Sequence, residues 1–165
     1  MNTLTFLLLI LSALALVAAC AWHWTRSARH VEFCNVSTGR REDGQITKLS
    51  DAAIATRYLL VKIGSDINHI AVCSAITDKP LGPCTDEPSA AEENINVALI
   101  GAVKGTLLGV SAAAITAGAY VATSTTGKLQ TAVSTQFVVG RALNAASGAD
   151  ELVEYVPVLG TIALV

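Results

Sequence analysis

Charged and aromatic side chains are scarce in this chain. Asp, Glu, Lys and Arg make up 15% of its 165 residues and Phe, Trp and Tyr only 5%, whereas apolar residues make up 52%. This balance excludes a disordered, solvating chain, because such chains are rich in charge and poor in apolar residues. The net charge is −2 and there is no long basic run, so a nucleic-acid-binding protein is disfavoured.

Four cysteines and three histidines do not indicate a disulfide scaffold or an obvious metal protein. His30 and Cys34, like His69 and Cys73, are four residues apart, and on a strand such residues lie on one face. They are then about 13 Å apart, too far to share a zinc ion on a straight strand. We therefore expect no metal and buried cysteines that act as small hydrophobes. A disulfide between Cys73 and Cys84 is sterically conceivable and is expected only after export to an oxidising compartment.

The sequence contains no motif that indicates catalysis. A nucleophile elbow, a phosphate-binding loop and a dinucleotide fingerprint are all absent. The acidic residues at 86, 87, 92 and 93 resemble paired carboxylates, but no histidine or aromatic residue lies near them in the sequence. A solvated turn is the better interpretation, so we predict a protein that is not an enzyme and needs no cofactor.

The chain begins with an apolar leader, residues 1–29, whose first charged residue is Arg26. Residues 4–22 are uncharged and long enough to cross a bilayer as a helix. As a secretory signal the leader lacks positive charge in its first five residues. The sequence VAAC, which ends at Cys20, resembles a lipobox in which Cys20 would carry the lipid. A membrane anchor with a cytoplasmic body or a start site placed too early would also account for the leader, and membrane contact is expected only if the leader is retained.

The body of the chain has the pattern of a β protein. Short apolar segments alternate with Gly, Asp, Asn, Ser and Thr clusters, and residues 95–99 show the alternation of a half-buried strand. Further strands are predicted at residues 58–63, 70–73, 106–110 and 137–139. Two alanine-rich segments, 88–93 and 111–115, are candidates for single helical turns but lack the periodicity of a long helix.

An internal echo suggests that the body contains two copies of one unit. Four residue pairs carry this echo: Tyr58 and Tyr120, Gly64 and Gly127, Gly82 and Gly140, and Glu93 and Glu151. Two copies favour one compact barrel or sandwich over an open solenoid. We predict an extended arm at residues 30–50 and a β domain at 51–165, with half-repeats at about 51–110 and 112–165.

The body from about residue 30 to residue 157 resembles the family of phage and prophage capsid cement, or head decoration, proteins. The segments that carry the resemblance are SDAAI at 50–54, NHIAVC at 68–73, PLG at 80–82, TDE at 85–87, AGAYV at 117–121, STTGKL at 124–129 and VGRAL at 139–143. The resemblance implies a non-enzymatic, β-rich virion protein on the outer surface of the capsid, with the major capsid protein as partner. Residues 1–29 have no counterpart in that pattern.

Capsid contact is expected at the two extended ends of the body. The run at residues 156–165 is almost wholly apolar, so it either completes the domain's own sheet or adds as a strand to a neighbour. The candidate contact residues are Val31, Phe33, Val36, Val158, Leu159 and Ile162. A homo-oligomer, with a trimer favoured, follows from the resemblance and from shell symmetry. The alternative function is an exported lipoprotein or membrane-anchored β domain of the bacterial envelope.

Overall fold

The computed structural model describes residues 44–158, which form ten strands and no helix. The strands are β1 Gln45–Ser50, β2 Leu60–Ile63, β3 His69–Val72, β4 Gly82–Pro83, β5 Asn94–Ala98, β6 Leu107–Val110, β7 Tyr120–Thr123, β8 Leu129–Thr131, β9 Val138–Ala142 and β10 Leu152–Pro157. The prediction of a mainly β body is confirmed. The predicted helical leader, residues 1–29, lies outside the described residues, and within them no helix is long and apolar enough to span a membrane.

The first sheet contains β1 to β5 in the order β4-β2-β3-β1-β5. Strand β1 pairs with β5 in the antiparallel direction and with β3 in the parallel direction. An isolated bridge between Cys84 and Val97 joins the end of β4 to β5, so the five strands form a nearly closed, barrel-like ring. Strand β1 lies within the stretch predicted as an extended arm, and the structure pairs it with β5 over Gln45–Leu49 and with β3 at Leu49 and Ser50.

The second sheet contains β6 to β10 in the order β6-β10-β9-β7-β8. A parallel bridge between Ser111 and Leu129 brings the end of β6 beside β8. Each pairing of the first sheet therefore has a counterpart of the same direction among β6 to β10. The alanine-rich segments carry no helical turn, contrary to expectation. Residues 88–93 form a loop before β5, and the segment 111–115 forms two isolated bridges with distant residues.

One buried serine ends the first strand of each sheet in the same way. Ser50 and Ser111 are both fully buried, and each donates its backbone N–H and its hydroxyl to carbonyl oxygens of the loop that precedes the last strand. The acceptors are Glu93 O at 2.9 Å and Ala90 O at 3.0 Å for Ser50, and Glu151 O at 2.8 Å and Gly148 O at 2.7 Å for Ser111.

The hydrogen-bond register shows which pairs of the sequence echo are equivalent. Gly82 and Gly140 both lie against a backbone carbonyl of the neighbouring strand. Tyr58 and Tyr120 are not equivalent. The N–H of Tyr58 donates to the Cys84 carbonyl as the N–H of Gly118 donates to the Ala142 carbonyl, and both donors have a positive φ, 63° and 83°. Tyr120 therefore takes the place of Leu60. The comparison of the two sequence copies paired Tyr58 with Tyr120 because both are tyrosines. Residue type does not show which strand positions are paired, whereas the hydrogen-bond register does.

The two sheets have separate interiors that meet through the first sheet's outer side. The first interior contains Ile54, Val61, Ile70, Cys84, Ile95 and Val97. The second contains residues of β6 to β10 and their loops, with Tyr155 among them, and also Leu60, Cys73 and Ala98 from the first sheet. The outer side of the first sheet is thus packed against the second sheet.

Replacing Gly140 with alanine should destabilise the protein. An added Cβ would overlap the carbonyl oxygen of Val156 and the ring of Tyr155, and overpacking of this kind costs about 1–3 kcal/mol. Gly148→Ala is the matched control, because its nearest neighbour would be Glu151 Oε1 at 3.9 Å, an ordinary contact. Of the two variants, only Gly140→Ala should have a lower urea concentration at the midpoint of unfolding. Equal midpoints for the two variants would contradict the close approach of β9 and β10.

Candidate functional surfaces

The second sheet carries an open groove of about 550 Å³ on its outer side. The residues that line it are Gly118, Tyr120, Arg141, Ala142, Leu143, Val156 and Val158. Tyr120 and Val156 point outward from β7 and β10 because their neighbours Val121 and Tyr155 point into the interior. Their exposed fractions are 36% and 42%, so the groove presents apolar surface to solvent.

Arg141 is the one charged residue among those that line the groove. Its Nε donates a hydrogen bond of 2.8 Å to the carbonyl of Gly118, which holds the side chain along the groove wall. A lone guanidinium has no partner there for acid–base catalysis. The groove is suited to packing against another protein surface, with Arg141 able to meet a carboxylate.

His69 links the start of β3 to the loop before β5. Its Nδ1 lies 2.8 Å from Asp66 Oδ1, and its Nε2 lies 3.0 Å from Glu92 Oε1. Hydrogen bonds to these two carboxylates raise the pKa of His69, and the bond from His69 lowers the pKa of Asp66. Within residues 44–158, no group of His, Cys, Asp and Glu side chains is arranged to hold a metal ion.

His69 and Cys73 do not form a common site. Cys73 is fully buried in the interior shared by the two sheets, and burial raises the pKa of its thiol to about 11. Cys84 is fully buried in the first interior, and its pKa is also raised by burial. Both are free thiols, so the structure does not contain the conceivable disulfide between them.

The acidic residues at 86–93 have separate structural partners instead of forming a catalytic pair. Asp86 accepts from the N–H of Asn96, Glu87 pairs with Arg57, Glu92 contacts His69, and Glu93 accepts from the N–H and hydroxyl of Ser89. Hydrogen bonds from Ser89 lower the pKa of Glu93. Glu151 has the same arrangement with Ser147, and its pKa is lowered for the same reason.

Of the residues proposed for contact from the sequence, the structure describes Val158. Its N–H donates 3.1 Å to the carbonyl of Val139, and the residue lines the groove. The residues Cys20, Val31, Phe33, Val36, Leu159 and Ile162 lie outside the described part. Sequence reasoning missed Tyr120 and Leu143 as surface residues. It placed Val156 in the apolar run at residues 156–165 but did not include it among the candidate contact residues, and the structure shows it at an outward position of β10.

The comparison with family models identifies the class of protein. A model described as phage cement protein matches residues 42–157, which defines a virion-associated structural protein of a phage. The chain belongs to the phage cement protein family, and the resemblance found in the sequence is confirmed. No curated protein matches significantly.

A solved structure with a similar fold is the N base of the head fiber gp8.5 of bacteriophage phi29. The TM-score is 0.56 and the sequence identity 18%, over 73% of this chain and 98% of that chain. At this identity the likeness concerns the fold alone.

The stability of the protein should fall as the pH rises through the pKa of His69. Because that pKa is higher in the folded state, the protonated ring stabilises the fold fully below its unfolded value of about 6.5, and the contribution is lost above the folded value. We expect the free-energy difference between the wild type and His69→Gln to shrink as the pH rises above about 6.5. This difference is measured by urea unfolding of both proteins at a series of pH values. A difference that stays constant with pH would contradict the two carboxylate contacts.

Proposed function

We propose that this protein decorates an assembled phage or prophage capsid by binding the outer surface of the major capsid protein. The observation that carries the proposal is the family match over residues 42–157. The protein acts without turnover and without a cofactor. Each bound copy adds contact area across the seams between capsid subunits. Because it binds the assembled shell in preference to free subunits, it shifts the equilibrium toward the shell.

The capsid contacts of this proposal are at the two ends of the described body. Strand β1 pairs with β5 over Gln45–Leu49 and with β3 at Leu49 and Ser50, so its β5 side is not available for strand addition. We place the N-terminal contact before β1, at Val31, Phe33 and Val36. The C-terminal contact begins at Val158 and uses Leu159 and Ile162. Main-chain pairing with the capsid would supply affinity, and alternate side chains would supply specificity.

We also infer that the two sheets are duplicate copies of one module. The matching pairings, the two buried serines and the two close-packed glycines support this inference. A homo-oligomer, with a trimer favoured, suits a position at a local threefold axis of the shell. The envelope alternative depends on a lipid at Cys20, and nothing within residues 44–158 favours it.

The protein should be found in virions at high copy number. Peptide and intact-mass spectrometry of purified particles, and of the membrane fraction of producing cells, measures where it is and where the mature chain begins. Abundant protein in particles supports capsid decoration. Protein found only in membranes, with a lipid on Cys20, would refute it.

Charges placed in the N-terminal contact should weaken capsid binding. The triple variant Val31→Asp, Phe33→Asp, Val36→Asp is mixed with shells assembled from the major capsid protein alone, and the bound fraction is measured by cosedimentation. We expect at least about tenfold weaker binding, because buried unpaired charges are costly. Ile76→Asp, at an exposed residue between β3 and β4, is the control and should bind as the wild type does. Normal binding by the triple variant would show that the arm is not a contact.

A further inference from the structure

The outer face of the first sheet is buried inside the chain itself. Leu60 and Ala98 point outward from β2 and β5, because Val61 and Val97 occupy the first interior. Both are nevertheless buried, since they pack into the interior of the second sheet. The N–H of Leu60 also donates 2.6 Å to the carbonyl of Gly127 in the second sheet. This contact is a face-to-turn interface between the two sheets.

The groove of the second sheet lies on the face that corresponds to the outer face of the first sheet. Matching registers make Tyr120 the counterpart of Leu60 and Val156 the counterpart of Ala98. Val158 corresponds to Ile100, because its N–H donates to Val139 as the N–H of Ile100 donates to Leu81. All three counterparts line the groove. The face that the first sheet buries is therefore the face that the second sheet leaves open.

A turn of the second sheet covers the outer face of the first sheet, and the chain contains a second copy of that turn, the unused turn, which covers no such face in the described part of the chain. In the second sheet that turn follows β7 and contains Gly127, which packs against Val72 and Leu60. The corresponding turn of the first sheet follows β2, since the N–H of Gly64 donates to His69 as the N–H of Ser124 donates to Lys128.

The end of β2 and the unused turn that follows it expose two isoleucines, and the used turn has no such residue. Ile63 is 46% exposed and Ile67 is 72% exposed. The side chain of Asp66, beside Ile67, uses its Oδ1 in the contact with His69 and is still largely exposed, so the rest of its carboxylate can face Arg141 of the groove. Apolar surface and charge on the turn both complement the groove.

We propose that the groove between β7 and β10 binds the turn after β2 of a second copy of this chain. This interface between two chains has the same arrangement as the contact that joins the two sheets within one chain. It is heterologous, because the two partners contribute different surfaces. A heterologous interface cannot close with two copies, so the assembly contains three or more. The proposal concerns the chain alone and does not depend on capsid binding.

Sedimentation velocity on single-residue variants tests each side of the interface. Val156→Asp places a charge in the groove and Ile67→Asp places one on the turn. Each variant should associate at least about tenfold more weakly than the wild type. Leu152→Asp is the matched control. Leu152 is 53% exposed on the same strand, but its counterpart in the first sheet is the polar, exposed Asn94.

A mixture of the two variants distinguishes a head-to-tail interface from any other. The Val156→Asp chain keeps an intact turn and the Ile67→Asp chain keeps an intact groove, so one interface can form between them. We expect a two-chain species in the mixture and single chains in each variant alone, with unchanged circular dichroism. A single-chain wild type, a mixture that stays monomeric, or equal dissociation by Leu152→Asp would each overturn the proposal.

Discussion

The fold depends most on how the first strand of each sheet is fixed at its end. Ser50 and Ser111 lie where that strand leaves its antiparallel partner and stays beside its parallel one. The loop that precedes the last strand of the sheet crosses this point and brings its backbone carbonyl groups within reach of the serine. The buried hydroxyl and N–H of the serine satisfy two of them, which removes the penalty for unpaired buried groups. Strands of two to six residues can then form a ring without helices or disulfides in the described part.

The small size of each ring explains both its close-packed glycines and the low aromatic content. Strands β4 and β9 approach their neighbours so closely that Gly82 and Gly140 leave no space for a side chain. A ring of this size encloses little volume, so its interior contains mostly Val, Ile and Leu, with Tyr155 as its largest fully buried side chain. The low aromatic content noted in the sequence is therefore a consequence of closing two small rings, since one large core would have room for many bulky residues.

Strand positions could be predicted from the sequence, whereas the surfaces that matter for association could not. Alternation predicted a strand at residues 95–99, within one residue of the observed Asn94–Ala98, because one side of β5 faces an interior. Leu60 and Tyr120 occupy the same place in two modules, yet one is buried and the other is 36% exposed. No local pattern distinguishes them, because burial of an outward residue depends on which module lies against it. The tyrosine echo failed for a related reason, since equivalence is defined by hydrogen-bond register and not by residue type.

A chain made of two like modules in contact has a property that one module lacks. If one face of the first module is used against the turn of the second, then one such face and one such turn must remain unused, one on each module. Here the unused face is the groove of Tyr120 and Val156, and the unused turn is that of Ile63 and Ile67. Evolution of the first contact within the chain would therefore supply most of the proposed second contact between chains. The rotation between modules determines whether the resulting assembly closes, and a closed ring would suit the proposed position at a local threefold axis of the shell.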